Sequence, residues 1–222
     1  EYTDFGIQGR IDTPRGQELL QIVDPYEYRE ALTLPKLIIL GSGDQYWTVD
    51  AANLYFHDLR GENYIRYEPN ADHGIENSMP SYLALASFYH KVLRREPMPR
   101  FSWSIEPDGT FRVEAPDRPL EARLWKAQAP TKDFRLAVIG PVWTSEVLRE
   151  DANGVYSGRV AASFKGYTAF FVELVYPSEL GFNYSLTTEI SIPRFSYLVS
   201  ALWLVAPVSL VIATVGWFFW WR

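Results

Sequence analysis

Cysteine is absent from all 222 residues. That rules out disulfides and thiolate metal sites, while leaving the compartment open. Histidine is scarce, with three in the chain. His57, His73 and His90 fall in no HxH or HxxxH spacing, so neither a metal site nor a cofactor is expected. Basic residues are outnumbered: 21 Lys and Arg face 27 Asp and Glu, leaving a net charge of −6. No basic stripe stands out, and no nucleic-acid partner is expected. Methionine does not begin the chain, and no signal-peptide pattern opens it. Either the N-terminus was removed or the chain is a fragment. What it does have is apolar and aromatic material, 47% and 16% of residues, enough to build a sizeable folded core.

Three zones follow one another. In the first, about 1–97, "DTPRGQELLQIV" offers Asp12 or Thr13 as an N-cap and Pro14 in the first turn, then apolar residues at helical spacing. "LPKLIILGSGD" is a continuous apolar run of the kind found in parallel strands buried on both faces. A helix over "VDAANLYFHDL" is predicted next, with Thr48 and Asp50 as alternative caps. "NYIRYEP" is a second strand, and "SMPSYLALASFYHKVLRR" a longer helix behind Ser78. This strand–helix–strand–helix order predicts two parallel neighbours with a right-handed crossover.

The second zone, 98–193, holds short runs rich in Val, Phe, Tyr, Trp and Thr. "FSWSIEPDGTFRVEA" is a hairpin, and "LEARLWKAQ", "FRLAVIG", "GVYSGRVAA", "YTAFFVELVYP" and "FNYSLTTEISI" follow. About seven strands without a helix predict a small antiparallel β-sandwich. The third zone, 195–222, carries no charge from Phe195 to Trp221. Twelve residues of 197–221 are Leu, Ile, Val or Phe, worth roughly −4 to −7 kcal/mol toward bilayer insertion. Trp217, Trp220, Trp221 and Arg222 resemble an interfacial belt. A transmembrane helix over 197–221 is expected, with the main body outside the cytoplasm.

Two strand-like runs end in an acid and a base. Asp44 follows a Gly-Ser-Gly turn after the first, and His73 sits in "PNADHG" after the second. Open parallel sheets collect functional groups at the carboxyl ends of their strands. If the strands are neighbours, a carboxylate accepting the imidazole Nδ1–H fixes the tautomer and frees Nε2 as a base. The alternative is plainer: Asp44 caps the following helix and His73 is an ordinary loop residue. His57 and His90 lie inside predicted helices and read as surface or core residues.

"DTPRGQELLQIVDPYEYREALTLPKLIILGSGDQYW" and "YFHDLRGENYIRYEPNADHGI" resemble the PhoPQ-activated pathogenicity-related proteins. "ARLWKAQAPTKDFRLAVIG" and "GYTAFFVELVYP" resemble that family's C-terminal part, so the likeness runs from about residue 2 to about 190. It implies the C-terminal portion of an α/β-hydrolase sheet followed by a small antiparallel sandwich. It also implies that Asp44 and His73 match the acid and base of a serine-hydrolase triad acting on an ester or peptide bond. The sequence departs from that pattern in one respect. It contains no G-x-S-x-G, and Ser42 lies on the acid's own turn rather than on a nucleophile elbow. The serine, the oxyanion hole and the remaining strands are expected upstream of residue 1. The competing expectation is a binding or signalling module that reuses the fold without catalysis, with Trp103, Trp125, Trp143 and Phe164 as candidate contact residues.

Overall fold

The computed structural model describes residues 4–7, 9–75 and 78–194. It is a mixed α/β structure with three sheets. The expected membrane-spanning segment, 197–221, lies outside the described residues. Among those described, no helix is long and apolar enough to cross a membrane.

Helix α1 spans Pro14–Val23 and starts where Thr13 Oγ1 accepts from the Gly16 amide at 3.2 Å. None of its residues is buried; Leu19, Ile22 and Val23 present an uncovered apolar face. Strands β1 (Lys36–Gly41) and β2 (Asn63–Glu68) pair in parallel, in register from Lys36 with Asn63 to Gly41 with Glu68. Helix α2 (Met79–Arg94) begins at Ser78, whose hydroxyl accepts from the Ser81 amide. It buries Ser81, Ala84, Ser87 and Phe88, a spacing that keeps one face inward. Arg95 closes the helix in the left-handed region, at φ 57°.

Seven antiparallel strands complete the fold. Strands β3 (Ser102–Ile105), β4 (Thr110–Glu114) and β7 (Val155–Arg159) form one sheet in the order β3-β4-β7. Strands β5 (Glu121–Ala129), β6 (Thr144–Val147), β8 (Tyr167–Pro177) and β9 (Asn183–Thr187) form another, ordered β6-β5-β8-β9. The long apolar run of β8 is explained by burial on both faces. Phe170, Val172 and Leu174 join a core with Phe111, Val113 and Tyr156 of the first sheet and Ala84 and Phe88 of α2. Ala169 and Phe171 face the other way, into a second core with Val49, Ala52, Phe56, Ile65 and Tyr67. The two zones therefore share both cores.

Residues of the first zone dock on β9. Thr187 Oγ1 accepts from the Tyr67 amide (3.1 Å) and reaches the Ile65 carbonyl (3.4 Å). These bonds engage two backbone groups on one edge of β2; the other edge pairs with β1. Arg66, 1% exposed, joins the seam through Glu68 (2.9 Å) and Glu173 (3.3 Å).

Two local expectations are corrected. The predicted helix over "VDAANLYFHDL" is two separate 3₁₀ turns, Ala51–Leu54 and Phe56–Asp58. Ala52 and Phe56 are both drawn into the second core, and Asn53 Nδ2 is tied to the Ile190 carbonyl at 3.0 Å. These anchors open the backbone at Tyr55, where φ reaches −139°, so packing overrides the helical pattern. The expected strand in "FRLAVIG" is instead one helical turn, α3 (Leu136–Ile139). The Leu136 amide donates to the Gly43 carbonyl (2.8 Å), which takes that backbone away from any sheet. The strand that occupies the sheet edge is β6, all of whose residues are exposed.

Candidate functional site

Side-by-side parallel strands deliver Asp44 and His73 to the same end of the β1–β2 pair. Small residues make the approach possible. A β-carbon on Gly41 would lie 2.0 Å from the Asp72 carbonyl oxygen, and one on Gly43 would lie 2.7 Å from the Leu136 nitrogen. Glycine is therefore required at both positions by close backbone approach. The turn is stitched to the histidine loop by the Gly43 amide donating to the Ala71 carbonyl (2.8 Å). Buried Ser42 accepts from the Asn70 amide at 2.9 Å.

The two side chains meet. His73 Nδ1 lies 2.8 Å from Asp44 Oδ2. The aspartate side chain is 5% exposed and the imidazole 51%. The aspartate's other oxygen accepts from the Tyr46 amide (2.7 Å) and the Trp47 amide (3.2 Å). Asp44 does not cap a following helix as the plainer alternative had it, since the first 3₁₀ turn begins after Asp50; it organises its own turn and holds the histidine. A carboxylate fixed by two amides is a rigid acceptor for the imidazole N–H. With Nδ1 engaged, Nε2 is left as the ring's free nitrogen, and it has no hydrogen-bond partner among the described residues.

Three further residues support the pair, and none was singled out from the sequence. Gln45 Oε1 accepts from the His73 backbone amide (3.1 Å). Tyr46 places its ring edge-on to the imidazole, 4.9 Å between centroids. Asn70 adopts φ 58° and pins the loop to Trp143 through both ends of its amide, each at 2.9 Å. Asparagine tolerates that left-handed conformation better than most residues, so "PN" was the available signal. A mostly apolar cavity of about 220 Å³ lies beside Asp44, lined in part by Leu40, Trp47, Tyr55 and Tyr67. Burial pushes the Tyr67 and Tyr55 phenols above their ordinary range, so both stay protonated donors.

Ser42 cannot reach Nε2 from its sealed position, where it is 0% exposed and braces Asn70. No serine or threonine hydroxyl hydrogen-bonds His73 among the described residues. The other two histidines also pair with carboxylates. His57 Nε2 lies 2.8 Å from Glu189, and His90 Nε2 lies 3.4 Å from Glu179. His90, Glu179 and Glu96 bring ligand-type atoms within 4.8 Å of one another. Arg94 and Lys91 already neutralise that cluster, and it has the character of an ion-pair network.

A family model described as PhoPQ-activated pathogenicity-related protein matches residues 1–135, more than half of the chain and inclusive of both Asp44 and His73. This chain belongs to that family. Autocrine proliferation repressor protein A of Dictyostelium discoideum is 26% identical, over 79% of this chain and 40% of that protein. The chain therefore spans well under half the length of this curated relative. No solved structure matches.

Proposed function

We propose that this chain carries the acid and base of a serine-hydrolase triad, within the C-terminal portion of an α/β-hydrolase domain. Asp44 orients His73, and Nε2 of His73 acts as general base toward a serine and then as general acid toward the leaving group. The observation that carries the reading is the 2.8 Å contact between Asp44 Oδ2 and His73 Nδ1, with the acid buried and the base half exposed. The strand–turn–acid, strand–loop–histidine order fits that reading. The serine and oxyanion amides come from outside these 222 residues, and the substrate is an ester or peptide. Residues 197–221 anchor the protein in a membrane as a single span, with the body on the extracytoplasmic side.

The test is covalent labelling of the native protein by a fluorophosphonate. Asp44→Asn and His73→Ala each reduce the labelling rate by several orders of magnitude, since triad members act as a unit. Undiminished labelling of both variants refutes the reading.

A second reading is favoured by one fact: the similar protein of Dictyostelium is named as a proliferation repressor. In that case the fold serves binding or signalling, and the Asp44–His73 pair is a structural tie between two loops. A native protein that a fluorophosphonate does not label, with its biology retained by a folded His73→Ala variant, supports this second reading over the first.

A further inference from the structure

A second carboxylate–imidazole pair lies away from Asp44, where three parts of the fold converge. A cavity of about 420 Å³ opens between the 3₁₀ turns bearing Asn53 and His57, strand β3 with Trp103, and the segment after β9 with Glu189. Glu189 is 5% exposed. Its Oε2 is shared by His57 Nε2 (2.8 Å) and the Trp103 indole N–H (3.1 Å). Its Oε1 is buried and has no hydrogen-bond partner. Asn53, which also lines the cavity, donates from Nδ2 to the Ile190 carbonyl at 3.0 Å.

A buried carboxylate needs hydrogen bonds on both oxygens and a countercharge to offset its desolvation. Glu189 has half of this. Among the described residues, no lysine or arginine reaches within 4.0 Å of it, and its ion-pair partner is the exposed imidazole of His57. The wall beside it is aromatic: the Trp103 ring stacks on Phe101 at 5.5 Å and lies 5.9 Å from Phe56. A buried carboxylate that lines a cavity next to an indole, with one oxygen unpaired, is suited to a cation with N–H donors, which gains an ion pair and ring contact together. A neutral hydroxyl satisfies the oxygen without supplying the charge.

We propose that this cavity is a binding site for an alkylammonium group, held by the Glu189 carboxylate beside the Trp103 ring. The site is independent of Asp44 and His73, and it stands or falls without the hydrolase reading. Its position ties the 51–58 turns to β3 and to the chain after β9, so an occupant bridges the shared core of the two zones.

The test uses the full chain in a nonionic detergent with ¹⁵N-labelled tryptophan indoles. Trp103→Phe assigns the relevant N–H signal. The probes are n-butylammonium chloride for a free amine, Nα-acetyl-lysine amide for a lysyl side chain, and n-butanol as the neutral control. The expected result is a saturable shift of the Trp103 N–H signal in the millimolar range with at least one ammonium probe and none with butanol. A response to butylammonium alone marks a free-amine site; a response to both marks one open to lysyl side chains. Glu189→Gln weakens binding at least roughly tenfold, the order lost with one charge-assisted bond. No saturable shift with either ammonium, an equal response to butanol, or unchanged binding by a folded Glu189→Gln protein overturns the proposal. If that variant does not fold, the comparison of ammonium with butanol on the wild-type chain still decides.

Discussion

Gly41→Ala adds a single methyl group at the point where the acid's turn and the histidine's loop touch. The added carbon would sit 2.0 Å from the Asp72 carbonyl oxygen and 2.7 Å from that of Ala71. Both obstacles are backbone, so no side chain can swing away, and the loop must retreat by about 1 Å to restore van der Waals contact. Overpacking of this kind costs about 1–3 kcal/mol. The displaced segment carries His73 one residue further on, and the Asp44–His73 contact starts at 2.8 Å. A retreat of about 1 Å takes it beyond hydrogen-bonding range. Two readouts are expected together: a lower urea midpoint at unchanged slope, and loss of the exchange-protected His73 Nδ1–H proton resonance. Gly9→Ala is the control. Its new carbon meets only the Gly6 carbonyl, at 3.8 Å, so stability changes by less than about 0.5 kcal/mol. An unshifted midpoint with an intact Nδ1–H signal in Gly41→Ala would show that the loops are not in the contact described.

Three more expectations follow from buried polar groups. Arg66→Met removes the buried cation shared by Glu68 and Glu173 in the seam between β2 and the four-stranded sheet, leaving Glu68 its serine donors and Glu173 its contacts with Arg123, Trp125 and Ser185. It should cost about 3–5 kcal/mol in denaturant unfolding, with part recovered by adding Glu173→Gln; a loss under about 1 kcal/mol would contradict a buried network. Ser42→Ala leaves the Asn70 amide unpaired and should lower stability by about 1–2 kcal/mol. It should not change fluorophosphonate labelling of the native protein, and lost labelling in a folded variant would make Ser42 the nucleophile after all. Burial pushes Tyr184 up to about 12 from an ordinary 10.0, and raises Tyr64 and Tyr176 as well. The unfolded chain then releases these protons first. Stability is fully present below about pH 10 and declines as pH climbs toward about 12, by up to about 1.4 kcal/mol per pH unit for each tyrosine. Tyr184→Phe should flatten that decline in alkaline melts and cost little at neutral pH, since its hydroxyl is buried without a partner. An unchanged alkaline slope would mean Tyr184 ionises as freely folded as unfolded.

How far the sequence could be read depended on whether the deciding force was local. Helix α2 was legible because Ser78, Pro80 and the apolar spacing all act within a turn or two of the chain. The β3–β4 hairpin was legible through "PDG", and the parallel pair through its continuous apolar runs. The two misread segments are those where distant contacts decide the backbone. Nothing near residue 55 announces that Ala52 and Phe56 must both reach a core shared with Phe171. Nothing near Leu136 announces that its amide is claimed by Gly43. Strand β6 was invisible because all its residues are exposed, which leaves no apolar alternation to read. The candidate site shows the same division. Asp44 and His73 stood out by chemistry and by position after strands. Gln45, Asn70 and Tyr46 did not, because their roles exist only once the two loops face each other. The same holds for His57 and Glu189, 132 positions apart in the chain.

The most direct test of the central claim is to map where a fluorophosphonate attaches. The native gene product is labelled in whole lysate of its source cells, digested, and the modified peptide sequenced by mass spectrometry. The account predicts one adduct, on a serine that is not among these 222 residues, formed only while Asp44 and His73 are intact. An adduct on a serine within residues 1–222, or no adduct on a folded native protein, would contradict it.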